Sequence, residues 1–180
     1  PDDSVIESSS LLQQAQVAIL GFKAGVSCAA DLAVGGFDTH GDHDTDHENA
    51  LTDITSLIDY LWEYAEQQGV SDRLTVLVGS DFGRTPYYNA GAGKDHWAVG
   101  STIIMKKDAP WGNRVVGASD EEQNLLAINP STLQVDDSSD STIIYPMHIH
   151  SALRQQLGLP IDSFPLNNPQ ELDFFNSNLA

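Results

Sequence analysis

The sequence predicts an α/β fold, a mostly parallel sheet flanked by helices and carrying one small β-hairpin, and three observations lead there. A β-rich apolar run, Leu74 to Val78, ends in Gly79-Ser80 and delivers Asp81 at its carboxyl end. Before it, Leu51, Ile54, Leu57, Ile58, Leu61, Trp62 and Ala65 recur at three- and four-residue steps, the apolar face of an amphipathic helix. Before that helix a further run, Ser27 to Val34, leads into Gly35-Gly36-Phe37-Asp38-Thr39-His40. Strand, loop, helix, strand is a βαβ unit, whose strands are parallel and whose crossover is right-handed. Both strands then end at one edge of the sheet, which places the Asp38 loop beside the Asp81 loop, the edge where open α/β sheets present ligand-binding groups.

The elements follow in order. Residues 1–10 are polar and read as a loose lead-in, with Ser8 to Ser10 available to cap a helix. Residues 11–159 read as one α/β domain. Its first helix carries Leu12, Ala15, Val17, Ala18, Leu20 and Phe22 and stops near Gly25. Gly41 to Glu48, GDHDTDHE, reads as a polar loop, and the amphipathic helix that follows it closes at Gly69. Ser101 to Met105 is another short strand. Val115 to Ala118 and Leu125 to Ile128 flank the polar turn SDEEQN and read as the hairpin. Asp136 to Ser141 is a solvated connector, and a helix from Met147 through Leu157 ends at Gly158. Residues 160–180 form a tail in which Asn168-Pro169 is placed to start a last short helix.

Composition narrows the function. Eight Lys+Arg against 26 Asp+Glu give a net charge of −18, which argues against nucleic acid and anionic membranes, since a phosphate backbone needs basic residues to displace its counterions. No apolar run approaches the roughly 20 residues of a membrane span. Cys28 is the one cysteine, so neither an intrachain disulfide nor a thiolate metal site is available. Its small apolar neighbours place it in the core.

The histidines carry the chemistry. Neutral imidazole together with carboxylate binds zinc-type divalent metals, while manganese and magnesium take more oxygen ligands. Asp38 and His40 are candidate ligands from one strand tip, Asp81 from the next, and His96 from the glycine-spaced loop after it. Singly, each is more readily a surface polar group than a ligand; their expected convergence on one sheet edge makes the case. Asp42 and His43 are alternative ligands. Asp42, Asp44 and Asp46 alternate as in a calcium loop, but His47 stands where that loop needs glycine. Asn89 to Lys94, NAGAGK, lacks the spacing and the Ser or Thr of a phosphate loop. It reads instead as a mobile loop bringing Lys94 and His96 over the site. Arg84 suits a phosphate, sulfate or carboxylate, or equally a salt bridge. His148 and His150 read as structural. No Gly-x-Ser-x-Gly elbow is present, and no nucleophile is visible.

GGFDTH, LTVLVGSDFGRTP, GKDHW and the later IHSALRQQLGL together resemble domain-of-unknown-function family 1501, secreted bacterial proteins whose usual forms are GGWDTH, SEFGRTP and GRDHW. Phe37, Asp81 and Lys94 replace tryptophan, glutamate and arginine. The resemblance runs from about Leu11 to Leu159. That family in turn looks like a branch of the alkaline phosphatase and sulfatase superfamily. Under this resemblance Asp38 with His40 or His43 matches the first metal segment, Asp81 the second, and His96 the late histidine. Phe82 stands in the place of a metal-binding histidine.

The resemblance implies the C-terminal half of an alkaline phosphatase-like domain, exported to the periplasm or the exterior. The first half, with its nucleophile, would lie in a missing N-terminal portion or a companion chain. The expected function is metal-dependent hydrolysis of an anionic small-molecule or glycan ester, phosphate or sulfate. Asp38, His40, Asp81 and His96 would hold zinc, manganese, magnesium or calcium, and Arg84 and Lys94 would place the anionic group. The alternative is a non-catalytic binding or structural protein that keeps the fold and a cation.

Overall fold

The structure is a computed structural model that describes residues 6–160 and 170–179. The chain forms two compact units, Pro1–Asp108 and Ala109–Ala180.

The first unit is built on two helices, α1 (Ser10–Lys23) and α2 (His43–Gln67). α1 buries Ala15 and Ile19 against Leu57, Tyr60, Leu61, Tyr64 and Ala65 of α2, with Val70 and Leu74 closing the cluster. Ala15, Leu57, Leu61 and Ala65 are positions the apolar pattern selects; Ile19, Tyr60 and Tyr64 join them, while Val17, Leu20 and Leu51 stay exposed. Each large apolar side chain buried there is worth about 1.5–3 kcal/mol. α1 ends at Lys23, with Gly25 at a left-handed φ of 69° just beyond. α2 starts eight residues before its apolar stripe. The stretch expected as a polar loop is largely its first two turns, where Asp44 and Asp46 face the positive end of the helix dipole.

After α2 come β1 (Thr75–Val78), β2 (Gly83–Arg84), β3 (His96–Trp97) and β4 (Ile103–Lys106). β1 pairs antiparallel with β4, Thr75 opposite Lys106 and Val78 opposite Ile103. β2 pairs antiparallel with β3, which sets Arg84 opposite His96. Residues 27–34 form no strand, although Leu32 and Val34 pack against the helical core. The expected βαβ unit therefore does not exist, and no parallel pair occurs among the described residues. Two small antiparallel sheets with three helices are not an alkaline phosphatase-like architecture, so that expectation is corrected. Cys28 is exposed rather than in the core, because its segment passes over the surface. No helix among the described residues is long and apolar enough to cross a membrane.

The second unit carries α3 (Pro146–Gln156), opened by proline in its first turn, and a small core of Ile128, Leu133 and Leu172. The expected hairpin is reduced to a bridge between Ser119 and Leu125, and Ile128 bridges both Val135 and Thr142. His148, buried in α3, accepts the Tyr145 amide through Nδ1 and caps the helix. The helix start at Asn168-Pro169 lies outside the described residues.

Candidate metal centre

The site is assembled by two loops. The first, residues 35–42, leads from the helical core into α2 and carries Asp38 and His40. The second, residues 89–95, follows β2 and delivers His96 into β3. Backbone bonds lock them together: Lys94 donates to the Thr39 carbonyl at 3.0 Å, His43 to Ala92 at 3.0 Å and Asp42 to Gly91 at 3.3 Å. The amides of Asp42 and His43 at the start of α2 would otherwise lack partners, so the glycine loop caps that helix with its carbonyls. The loop thus brackets the one that carries Asp38 and His40. Gly93 permits the approach, since a Cβ there would stand 1.9 Å from the His40 carbonyl carbon. Gly83 in β2 likewise makes room for Val99, whose oxygen would lie 1.8 Å from a Cβ.

Within this frame three ligand-capable groups converge: Asp38, His40 and His96 offer one atom each, all within 4.8 Å of one another. Asp38 Oδ1 lies 3.1 Å from His40 Nε2 and 2.9 Å from His96 Nε2. The side chains are 65%, 49% and 50% exposed, so the cluster opens to solvent and to a ligand. A first-row divalent ion with bonds of about 2.0–2.1 Å sets neighbouring ligand atoms roughly 2.9–3.4 Å apart. The two oxygen–nitrogen separations fall in that range, and the set of one carboxylate and two imidazoles suits zinc-type ions better than calcium. The residues present fit such a cation.

Around the trio sits a holding frame. Arg84 donates through Nε to the Phe37 carbonyl at 3.1 Å, through Nη1 to the Lys94 carbonyl at 2.8 Å, and through Nη2 to Asp38 Oδ1. All three nitrogens thus bind the protein, and Arg84 ties both loops to β2. Its guanidinium, with His96 second, holds the Asp38 carboxyl down at about 2, well below the usual carboxylate range. A carboxylate has about four lone-pair sites, so Arg84 does not exhaust Asp38 as a ligand. Phe82 stacks on His96, ring centroids 3.8 Å apart, and fixes the plane of that ring. His40 Nδ1 meets Asp95 Oδ1 at 3.0 Å. Hydrogen bonds from Asn89 first, and from His40, lower the Asp95 pKa.

Asp81 is exposed and stands outside the trio, since it ends a strand that does not share an edge with the Asp38 loop. Lys94 is beside the site, with its ammonium 5.0 Å from the Tyr88 ring. Asp95 and Asn89 had no role assigned from sequence. The adjacency of Asp95 to His96 in GKDHW was the available signal, because a carboxylate next to an imidazole in a tight loop can serve a second imidazole. His43 and His47 belong to another environment: His43 is buried, meets the Thr39 hydroxyl at 2.6 Å through Nδ1, and stacks on His47 at 4.7 Å. Burial, with His47 second, lowers the His43 pKa. Asp38 and Thr39 also border a cleft of about 380 Å³ whose far wall is Asp46, Asn49, Ala50 and Asp53 of α2.

No curated protein and no solved structure matches the chain. One family model does, over residues 8–147, which takes in α1, α2, both sheets and every residue of the cluster. The chain belongs to the family described as protein of unknown function (DUF1501).

Proposed function

We propose that the chain is a divalent-metal-dependent hydrolase of phosphate or sulfate esters, with the cation held by Asp38, His40 and His96. The observation that carries this reading is the convergence of two solvent-open imidazoles, His40 and His96, on a single oxygen of the exposed Asp38. A cation held there polarises an ester oxygen and neutralises the charge that builds on it during hydrolysis. The chain's own groups prepare the site: Arg84 anchors Asp38, Phe82 holds the His96 ring, and Asp95 holds His40. Lys94 makes no ion pair among the described residues, and its ammonium is the positive charge that receives the anionic ester. A surface charge of −18 is screened over about 8–10 Å in physiological salt, so this local cation decides how an anion is received. The likeness of GGFDTH, which supplies Asp38 and His40, to the first metal segment of phosphatases and sulfatases supports the reaction class. The same family likeness supports export and an anionic small-molecule or glycan ester as substrate.

A second reading, cation binding without turnover, is favoured by the commitment of all three Arg84 nitrogens to the protein. One experiment separates the two. The purified chain is loaded in turn with zinc, manganese, magnesium and calcium and assayed on aryl phosphate monoesters, diesters and sulfates. Metal-dependent turnover that disappears in His96→Ala is the expected result. Stoichiometric metal without turnover supports the second reading, and failure of every metal to bind removes both.

A further inference from the structure

We propose that Asn89, acting through Asp95, is the positioning residue that fixes the His40 ring with its proton on Nδ1 and leaves Nε2 bare toward the centre of the cluster. His40 lies between two carboxylates, Asp95 Oδ1 at 3.0 Å from Nδ1 and Asp38 Oδ1 at 3.1 Å from Nε2. A neutral imidazole has one N–H to give, so only one of these contacts is a hydrogen bond.

The neighbours decide which. In the metal-free chain Asp38 Oδ1 accepts from Arg84 Nη2 and, with His96 Nε2 as donor at 2.9 Å, from a second group, so a third donor there would be crowded out. Asp95 Oδ1 has one other donor, Asn89 Nδ2 at 3.0 Å, and takes the His40 proton as its second. Nε2 of His40 then turns a lone pair toward a carboxylate oxygen. Two acceptors 3.1 Å apart repel unless a cation lies against both.

Asn89 sets this arrangement because its amide is fully used. Nδ2 donates to the His40 carbonyl and to Asp95 Oδ1, each at 3.0 Å, and Oδ1 accepts the amides of Gly91 at 2.9 Å and Gly93 at 3.0 Å. One side chain thereby fixes the backbone of the ligand, the loop that brackets it and the carboxylate that orients its ring. A carboxylate on the far nitrogen of a liganding histidine sets the ring's tautomer and raises its basicity, and losing it lowers metal affinity about 10–100-fold.

The importance of the bare nitrogen rests on the metal reading above; the tautomer itself does not. The test is long-range proton–nitrogen NMR on the metal-free, nitrogen-15-labelled full chain at alkaline pH, with a zinc titration alongside. The inference expects His40 protonated at Nδ1 in the wild type and a mixed or reversed tautomer in Asp95→Ala. It expects zinc affinity to fall 10–100-fold in Asp95→Ala and in Asn89→Ala, at an unchanged melting temperature for Asp95→Ala. A wild-type His40 protonated at Nε2, or zinc affinity within twofold of wild type in Asp95→Ala, overturns it. A wild type with Nδ1 protonated that takes up no zinc leaves the positioning role standing and removes the metal reading.

Discussion

Two pairs of histidines, His40 with His96 and His43 with His47, have opposite chemistry. His40 and His96 are half-exposed, 4.9 Å apart between ring centroids, and turned toward carboxylates. His43 and His47 are stacked in the first turns of α2, with His43 buried on a threonine hydroxyl and His47 packed edge-on to Phe37. Burial disfavours the imidazolium and closes the ring to ligands; exposure beside carboxylates leaves a lone pair free to bind. Sequence spacing cannot separate the two pairs, because His40, His43 and His47 all stand in one aspartate-rich stretch. What separates them is surroundings: His43 is buried against Thr39 and stacked on His47, whereas His40 and His96 are half-exposed beside Asp38.

The largest effect that would sharpen this contrast comes from Asp38→Asn. It removes the charge on which Arg84, His40 and His96 converge, and zinc affinity should fall by at least about 100-fold, beyond the loss typical of an outer residue. A titration calorimeter checks it, and the same change should leave the His43–Thr39 contact intact by NMR. Next in size is Gly93→Ala, whose Cβ meets the His40 backbone. Overpacking of this kind costs about 1–3 kcal/mol, read by denaturant melting, and it should weaken zinc by about tenfold as the bracket is pushed off His40.

The stacked pair should respond in the other sense. Thr39→Val strands His43 Nδ1 and should cost about 1–3 kcal/mol of stability while zinc affinity stays within twofold. The pH dependence follows from the lowered His43 pKa: the unfolded chain takes up that proton first, so stability present above pH 6.5 is lost as the pH falls through the folded value. His43→Gln should flatten that limb of the melting curve. The smallest effect tests whether a low carboxylate pKa marks a metal site at all. Asp136, in the second unit, is also held at about 2, but by the hydroxyls of Ser138 and Ser141 rather than by a cation. Stability present above about pH 3.8 should be lost as the pH falls toward 2, and Asp136→Asn should remove that step without changing zinc binding.

Much of the first unit was legible in the sequence. The apolar stripe from Leu51 to Ala65 gave α2, Leu12 to Phe22 gave α1, and Leu74 to Val78 gave β1 almost to the residue. Pairing was not legible. The direction in which β1 finds β4 depends on residues nearly thirty positions apart, and a run such as Ser27 to Val34 can supply core side chains without forming a strand. That one missing strand dissolved the expected parallel sheet and took Asp81 away from the cluster. Asp38, His40 and His96 nevertheless came together, because the bond between Lys94 and Thr39 and the Arg84 clamp bring the loops into contact by a different route. The acidic GDHDTDHE segment misled for a local reason: carboxylates that suit a solvated loop also suit the positive end of a helix.

The most direct test is an anomalous difference map at the zinc edge from crystals of the chain grown with zinc. A single strong peak about 2.0–2.2 Å from an Asp38 oxygen, His40 Nε2 and His96 Nε2 is the predicted result. A map empty at that point, or zinc held by the α2 carboxylates Asp46 and Asp53 with both imidazoles unligated, would contradict the account.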